Sequence, residues 1–412
     1  MNSTLTSDSL QVQKVKNLPD DFILGMDASC VPALEAGGVT YSDHDGVERD
    51  VYEILAMNGV NYIRVRIWNN PYNRDGKGYG GGNCDLENAI AIGRRATRYG
   101  MKLLVNFHYS DFWADPSKQM PPKAWAGMDM DQKVEALYQY TKDCLTALTE
   151  ADVDIGMVQV GNETNGAMCG EYGTTEYGWE KITRLMSAGS QAVREVCPHA
   201  PVVLHFTNPE TAGRYAEYGE KLHQYGVDYD VFASSYYPYW HGTLENLAAE
   251  LNRITATYGK KVMVAETSYA FTTADTDFFG NTVGAGDGVA DYAISLQGQA
   301  DLVRDVVDTA VNAMTDCIGV FYWEGTWISA GGKSYEANKV LWETHGSGWA
   351  SSFAGSYDPE DAGKWYGGCS VDNQAFFDRT GKATEALKVF GLLKEGNTVE
   401  DTAKAQLNPA KE

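Results

Sequence analysis

The sequence predicts a single-domain (β/α)8 TIM barrel of the α/β class. Three observations carry this expectation: eight short, near-continuous apolar runs, longer amphipathic stretches between them, and polar or aromatic groups gathered at the C-terminal end of every run. Apolar strands separated by helices imply a parallel sheet buried on both faces. Eight such units in 412 residues fit a barrel with insertions. The alternative is an open doubly wound sheet.

In chain order the runs are "DFILGMDAS" from Asp21, "VNYIRVRIW" from Val60, "MKLLVNFHYSD" from Met101 and "IGMVQVGNE" from Ile155. They continue with "PVVLHFTNP" from Pro201, "YDVFASSYYP" from Tyr229, "KKVMVAETS" from Lys260 and "IGVFYWEGTW" from Ile318. The stretches from Leu86 to Gly100 and from Gln297 to Met314 have the spacing of amphipathic helices. No low-complexity linker divides the chain. The expected barrel spans 19–394, with polar tails at 1–18 and 395–412.

Composition narrows the function classes. With 33 Lys+Arg against 56 Asp+Glu, the formal charge is -23. Such a surface repels polyanions, which argues against a nucleic-acid partner but leaves neutral substrates unaffected. Aromatics make up 12% of the chain, with 10 Trp and 25 Tyr; rings of this kind serve a packed core or a sugar-binding surface. The seven Cys contain no CxxC pair, and their odd number leaves at least one thiol free or paired between chains. The N-terminus lacks the apolar core of a signal peptide, and no apolar run is long enough for a membrane helix. Asn2 opens a formal glycosylation sequon to which no role is attached.

In a barrel the active site lies where the strands end. The residues there are Asp27; Arg64, Arg66 and Trp68; His108 and Asp111; Asn162 and Glu163; His205 and Asn208; Tyr236 and Tyr237; Glu266; and Trp323 and Glu324. A core built only for stability has no reason to collect these groups, and a carboxylate at the tip of a buried strand is costly without a partner or a task. Glu163 and Glu266 end the fourth and seventh strands, on opposing sides of a closed mouth. Glycosidic cleavage needs such a pair, one acid to protonate the leaving oxygen and one carboxylate to attack or to activate water. Asn162 is placed to bond a sugar hydroxyl, Arg66 and Tyr237 to keep one carboxylate ionised, and Trp323 to floor the sugar ring.

The segment "GKGYGG" (Gly76 to Gly81) fits a nucleotide-loop pattern, but it does not directly end a strand and reads as a flexible loop. His108 has no second His at ligand spacing, so a hydrogen-bonding role suits it better than a metal. Trp113, Trp240, Trp327, Trp349 and Trp365 fall in loops above the barrel. Singly each reads as packing; together they fit a groove that stacks a polysaccharide.

The chain resembles the retaining clan A glycoside hydrolases, and more specifically the arabinogalactan endo-β-1,4-galactanases of glycoside hydrolase family 53. The resemblance rests on "LGMDAS", "YIRVRIWNNP", "NFHYSDFWADPSKQMPPKAW", "VQVGNETNGAM", "HFTNPETAGRYA", "DVFASSYYPYWHGT", "VMVAETSYA", "GVFYWEGTWI" and "GSGWASSF", spread from Phe22 to Phe390. It implies Glu163 as acid/base and Glu266 as nucleophile. It implies substrate contacts from Asp27, Arg66, Trp68, His108, Asp111, Asn162, His205, Tyr237, Trp323, Trp327 and Trp349. The implied partner is β-1,4-galactan, met by a monomer that is secreted or held at a bacterial cell surface, with a cytoplasmic location left open. The alternatives are another clan A activity, on mannan or xylan, and a catalytically silent carbohydrate-binding barrel.

The resemblance is strongest to the bacterial calcium-binding members, and it implies a structural calcium joining the loops after the seventh and eighth strands. Here "TADTDFFGNT" places Asp275, Asp277 and Asn281 in a D-x-D-x-x-x-N pattern, with a carbonyl near Phe279, where those relatives have His. "GGCSVDNQ" would add a Cys369 carbonyl and the Asp372 carboxylate. Oxygen ligands of this kind suit a hard cation; the ordinary alternative is a solvated acidic loop.

Overall fold

The computed structural model describes residues 10–398. The eight apolar runs form eight strands: Ile23–Asp27, Tyr62–Ile67, Lys102–Phe107, Ile155–Val160, Val202–Phe206, Val231–Ser235, Lys261–Thr267 and Cys317–Tyr322. They close into one parallel barrel, the first strand pairing with both the second and the eighth. Closure rules out the open sheet, which would leave two unpaired edges.

The strand period of two sorts residues between the two faces. On the second strand Ile63, Val65 and Ile67 join the apolar layer beneath the helices, while Tyr62, Arg64 and Arg66 alternate with them. The floor of the barrel is a separate apolar cluster of Ile23, Leu104, Met157, Val203, Val231, Ala233, Met263, Ala265 and Phe321. Gly25 is required here, because a Cβ would lie 2.2 Å from the Phe321 ring. Above this floor the same inward positions turn polar.

Two helices show how the outer ring is specified. Leu86–Arg98 begins at Asp85, whose side chain accepts from Asn88 N–H, and ends with Arg95 and Arg98 in its last turn. Both features suit the helix dipole. Ala89, Ile92, Gly93 and Ala96 form its buried stripe. Met130–Glu150 opens with a reciprocal capping box between Asp129 and Gln132.

The expected polar tails are shorter than 1–18 and 395–412 wherever the chain is described. Leu10, Val12 and Val15 are buried in the main core, and Val15 N–H donates to Leu393 O at 2.8 Å. Asn397 bonds the backbone of both Leu10 and Val12. Three apolar residues among polar neighbours were too sparse a signal to read as packing. The rest of both tails, with the Asn2 sequon, lies outside the described residues.

The segment after the eighth strand folds over the barrel mouth. Gly348 O and Tyr79 O accept from Gly81 and Ser351 N–H, respectively tying the "GKGYGG" loop to it. Trp113 Nε1 donates to Trp349 O at 3.0 Å, and Lys118 pairs with Asp358 and Asp361. Among the described residues, no helix is long and apolar enough to cross a membrane.

Candidate active site

The strand ends enclose a cavity of about 300 Å³. Asp27, Arg66, His108, Asn162, Glu163, Tyr237, Glu266, Trp323, Trp327 and Trp349 all line it. Three residues expected at the substrate do not. Trp68 is fully buried and donates its indole N–H to His108 Nδ1. Asp111 accepts from the N–H groups of Asn70 and Lys123 and pairs with the Lys123 ammonium. His205 lies buried beneath the acid. Trp68 and His205 brace His108 and Glu163, which face the cavity. Trp240 and Trp365 are exposed, and the cavity lining does not include them.

Glu163 and Glu266 come together as the strand order implied. A carboxylate oxygen of each, with a His205 ring nitrogen, lie within 4.8 Å of one another. Their surroundings differ. Glu266 takes a donor on each oxygen, Arg64 NH1 at 2.7 Å on Oε1 and the Tyr237 hydroxyl at 2.7 Å on Oε2. Two such donors favour the anion. Among the described residues, Glu163 Oε1 accepts from Ser235 Oγ alone, at 2.6 Å. Burial, then the charge of Glu266, pushes Glu163 up to about 8. Glu163 is thereby suited to hold a proton at neutral pH, while the two donors on Glu266 are placed for a carboxylate.

The guanidinium beside Glu266 is Arg64, not Arg66 as the sequence reading expected. Arg66 sits one strand period further on and pairs with Glu324 and Asp27. Both arginines point inward; the sequence could not say which reaches the seventh strand.

Around Asn162 and His205 the polar side chains are linked by hydrogen bonds. Asn162 Oδ1 accepts from Arg64, Asn106 and Gln159, and its Nδ2 donates to Ala114 O. Ser235 donates to Glu163, so its oxygen accepts from His205 Nε2, 2.9 Å away. That fixes the tautomer and leaves Nδ1 to accept from Glu163 N–H. Burial and the nearby arginines hold His108 and His205 well below the ordinary histidine pKa, so both are neutral. Glu163, Asn208 and Glu324 have positive φ of 47°, 67° and 50°, a conformation that costs about 1–3 kcal/mol for non-glycine residues and concentrates at functional sites. Arg64 was placed at a strand end but given no role, and Asn106, Gln159 and Ser235 were missed as site residues. The period of two identifies the first three as inward-facing, and strand register identifies Ser235 as the partner of Glu266.

Away from the cavity, one carboxylate oxygen each from Asp275, Asp277 and Asp372 lie within 4.8 Å of one another. Asp277 and Asp372 are buried, and burial pushes Asp277 up to about 7. Asp277 Oδ2 accepts from Cys369 N–H at 2.7 Å. Asn281 Oδ1 and Asp372 Oδ1 are buried without a hydrogen-bond partner. Phe279 packs its ring edge-on to Trp342, so its side chain offers no ligand. Orphaned oxygens beside clustered acids fit a hard cation. All seven cysteines are free thiols.

The sequence model of Glycosyl hydrolase family 53 matches residues 23–390. The chain is 55% identical over 396 residues to an endo-beta-1,4-galactanase of Bacillus subtilis, covering 96% of this chain and 91% of that one. It is 34% identical over 332 residues to an arabinogalactan endo-beta-1,4-galactanase of Cellvibrio japonicus, covering 78% and 85%. Its fold superposes on the Ignisphaera aggregans GH53 catalytic domain with a TM-score of 0.82 at 37% identity, covering 94% of this chain and 100% of that one. This chain belongs to glycosyl hydrolase family 53.

Proposed function

We propose that the chain is an endo-acting β-1,4-galactanase that cleaves galactan and arabinogalactan with retention of configuration. The observation that carries this is the Glu163–Glu266 pair, one carboxyl built as an acid and one as an anion, with oxygens within 4.8 Å. Retaining glycosidases hold their carboxyls about 5–5.5 Å apart and inverting ones about 6.5–9.5 Å. The substrate class is supported by the names of the Bacillus subtilis and Cellvibrio japonicus relatives. A neutral polysaccharide also suits a chain of charge -23.

In the first step Glu266 attacks the anomeric carbon while Glu163 delivers its proton to the glycosidic oxygen. The bond to the leaving sugar breaks and a glycosyl ester forms on Glu266. Esterification removes the Glu266 charge, one of the causes that raise the Glu163 pKa, so Glu163, its proton spent, stays ionised and available as the base. In the second step Glu163 takes a proton from water, the water oxygen attacks the anomeric carbon, and Glu266 leaves as the carboxylate. Asn162 has one N–H committed to Ala114 O; the other serves a sugar hydroxyl. Trp323, Trp327 and Trp349 supply apolar faces for the rings.

Calcium is the cation we assign to Asp275, Asp277, Asn281 and Asp372, with backbone carbonyls from the same two loops. Its role is to neutralise the acidic cluster and join the loops; the chemistry above does not pass through it. The catalytic groups all come from one chain, so a monomer suffices. A polymeric substrate from plant cell-wall pectin side chains calls for action outside the cell or at its surface.

Reducing-sugar release from a panel of galactan, mannan, xylan and cellulose tests the reading. Release from galactan alone supports it. Release from mannan or xylan instead would reassign the specificity, and no release from any would mark a silent binding barrel.

A further inference from the structure

Beneath the nucleophile runs a buried line of alternating charge: Glu266, Arg64, Asp27, Arg66, Glu324. Arg64 NH1 lies 2.7 Å from Glu266 Oε1 and 3.3 Å from Asp27 Oδ2. Arg66 NH1 lies 3.6 Å from Asp27 Oδ1 and pairs closely with Glu324 Oε1. The side chains of Asp27, Arg64, Arg66 and Glu324 are at most 1% exposed. Three carboxyls thus face two guanidiniums where water cannot balance the excess. A buried unpaired charge is far costlier than a proton.

The three carboxyls differ in the donors they receive. Glu266 has a donor on each oxygen. Asp27 Oδ1 accepts from Ser29 N–H and Ser29 Oγ, and its Oδ2 accepts from Arg64. Glu324 Oε1 has Arg66, but Glu324 Oε2 is buried with no partner. An ionised oxygen there would be orphaned, whereas a hydroxyl has the Asp27 carboxylate beside it as an acceptor. We propose that Glu324 is a positioning residue that carries a proton, shared with Asp27, and so leaves Arg64 to serve the nucleophile Glu266.

The groups facing Glu324 agree. Burial pushes it up to about 8, with Arg66 lowering and Asp27 raising it. Cys30, Cys84 and Tyr41, the other titratable groups that sense it, are all raised by burial and stay neutral. With Glu324 neutral, Arg66 is available to Asp27. Were Glu324 an anion, three charges would share two guanidiniums, and Arg64, which already serves both Asp27 and Glu266, would be drawn further from Glu266 toward Asp27. No earlier step of the mechanism needs this residue, and its backbone is held in the left-handed region at φ 50°.

The inference rests on the galactanase reading for the identity of the nucleophile, so the test has an arm that does not. The first arm measures labelling of Glu266 by a 2-deoxy-2-fluoro galactobioside whose aryl leaving group needs no proton from Glu163. Wild type should label at a constant rate that falls above pH about 8. Glu324→Leu should lower the rate at least tenfold throughout, and the isosteric Glu324→Gln should restore it to within threefold of wild type and remove the fall at high pH. A Glu324→Gln protein as impaired as Glu324→Leu, with an unchanged melting temperature, would overturn the proposal. The second arm records the infrared C=O band of protonated carboxyls at neutral pH in a Glu163→Gln background. Adding Glu324→Gln should remove a band; an unchanged spectrum would overturn the proposal. If wild type neither labels nor cleaves galactan, the galactanase reading fails and the infrared arm alone decides whether Glu324 holds the proton.

Discussion

Ser235 Oγ donates to Glu163 Oε1 at 2.6 Å while accepting from His205 Nε2 at 2.9 Å. The acid is therefore aimed by a neutral relay from the fifth and sixth strands. Ser235 lowers the Glu163 pKa, opposing the effect of burial. Ser235→Ala should lower kcat about tenfold or more, since a hydrogen bond to a charged group is worth roughly 1.5–3 kcal/mol. The alkaline limb of kcat/KM should move to higher pH. A limb that moves to lower pH would contradict the assigned donor direction.

Replacing the two carboxyls separates their roles. Glu266→Ala should be inactive on every galactoside, because no covalent intermediate can form. Glu163→Ala should lose about 10²–10⁴-fold on galactan but much less on an aryl galactoside whose leaving group needs no proton. Both proteins should fold, as shown by unchanged circular dichroism. Equal losses on both substrates for Glu163→Ala would remove it from the acid role.

The raised pKa of Glu163 also sets a pH dependence of stability. Between about 4.5 and about 8 the folded protein holds a proton that the unfolded chain releases. Stability from this group is complete below about 4.5 and is lost as pH rises through about 8. Activity should fall in the same upper range as the acid ionises. Glu163→Gln should flatten its share of the stability slope, measured as urea midpoints across that range. An unchanged slope would place the titration elsewhere.

What the sequence made legible follows from chemistry with a short repeat. The apolar runs located all eight strands, and the strand ends named both carboxyls that meet in the cavity. The period of two also marks Arg64 and Arg66 as inward neighbours, but their partners, Glu266 and Glu324, stand some two hundred residues or more away. Only barrel closure decides which arginine meets which acid. Trp68 and His205 were expected at the substrate, and neither lines the cavity. Position at a strand end does not separate a group that faces the cavity from one that braces it. The docking of Leu10, Val12 and Val15 depends on a surface formed at the far end of the chain, near Leu393 and Asn397. No local pattern encodes it.

The last prediction concerns the cation. The loops after the seventh and eighth strands are already joined by protein bonds, from Thr282 N–H to Ser370 O at 2.8 Å and from Cys369 N–H to Asp277 Oδ2. An ion there adds stability to an existing junction and does not create one. Without it, Asp275, Asp277 and Asp372 hold oxygens within 4.8 Å of one another and repel. Calcium at 100 times its dissociation constant should contribute roughly 2.7 kcal/mol to the folded state. A chelator should therefore lower the melting temperature, and added calcium should restore it. Galactan cleavage at low temperature should change little, since Glu163 and Glu266, the carboxyls proposed to act on the substrate, lie elsewhere. Asp275→Ala combined with Asp277→Ala should lower the melting temperature and abolish the response to chelator. Melting curves identical with and without chelator, together with no metal by elemental analysis, would reject the site. Phe279, whose ring turns to Trp342 instead of the acids, would then mark where the cation site was lost.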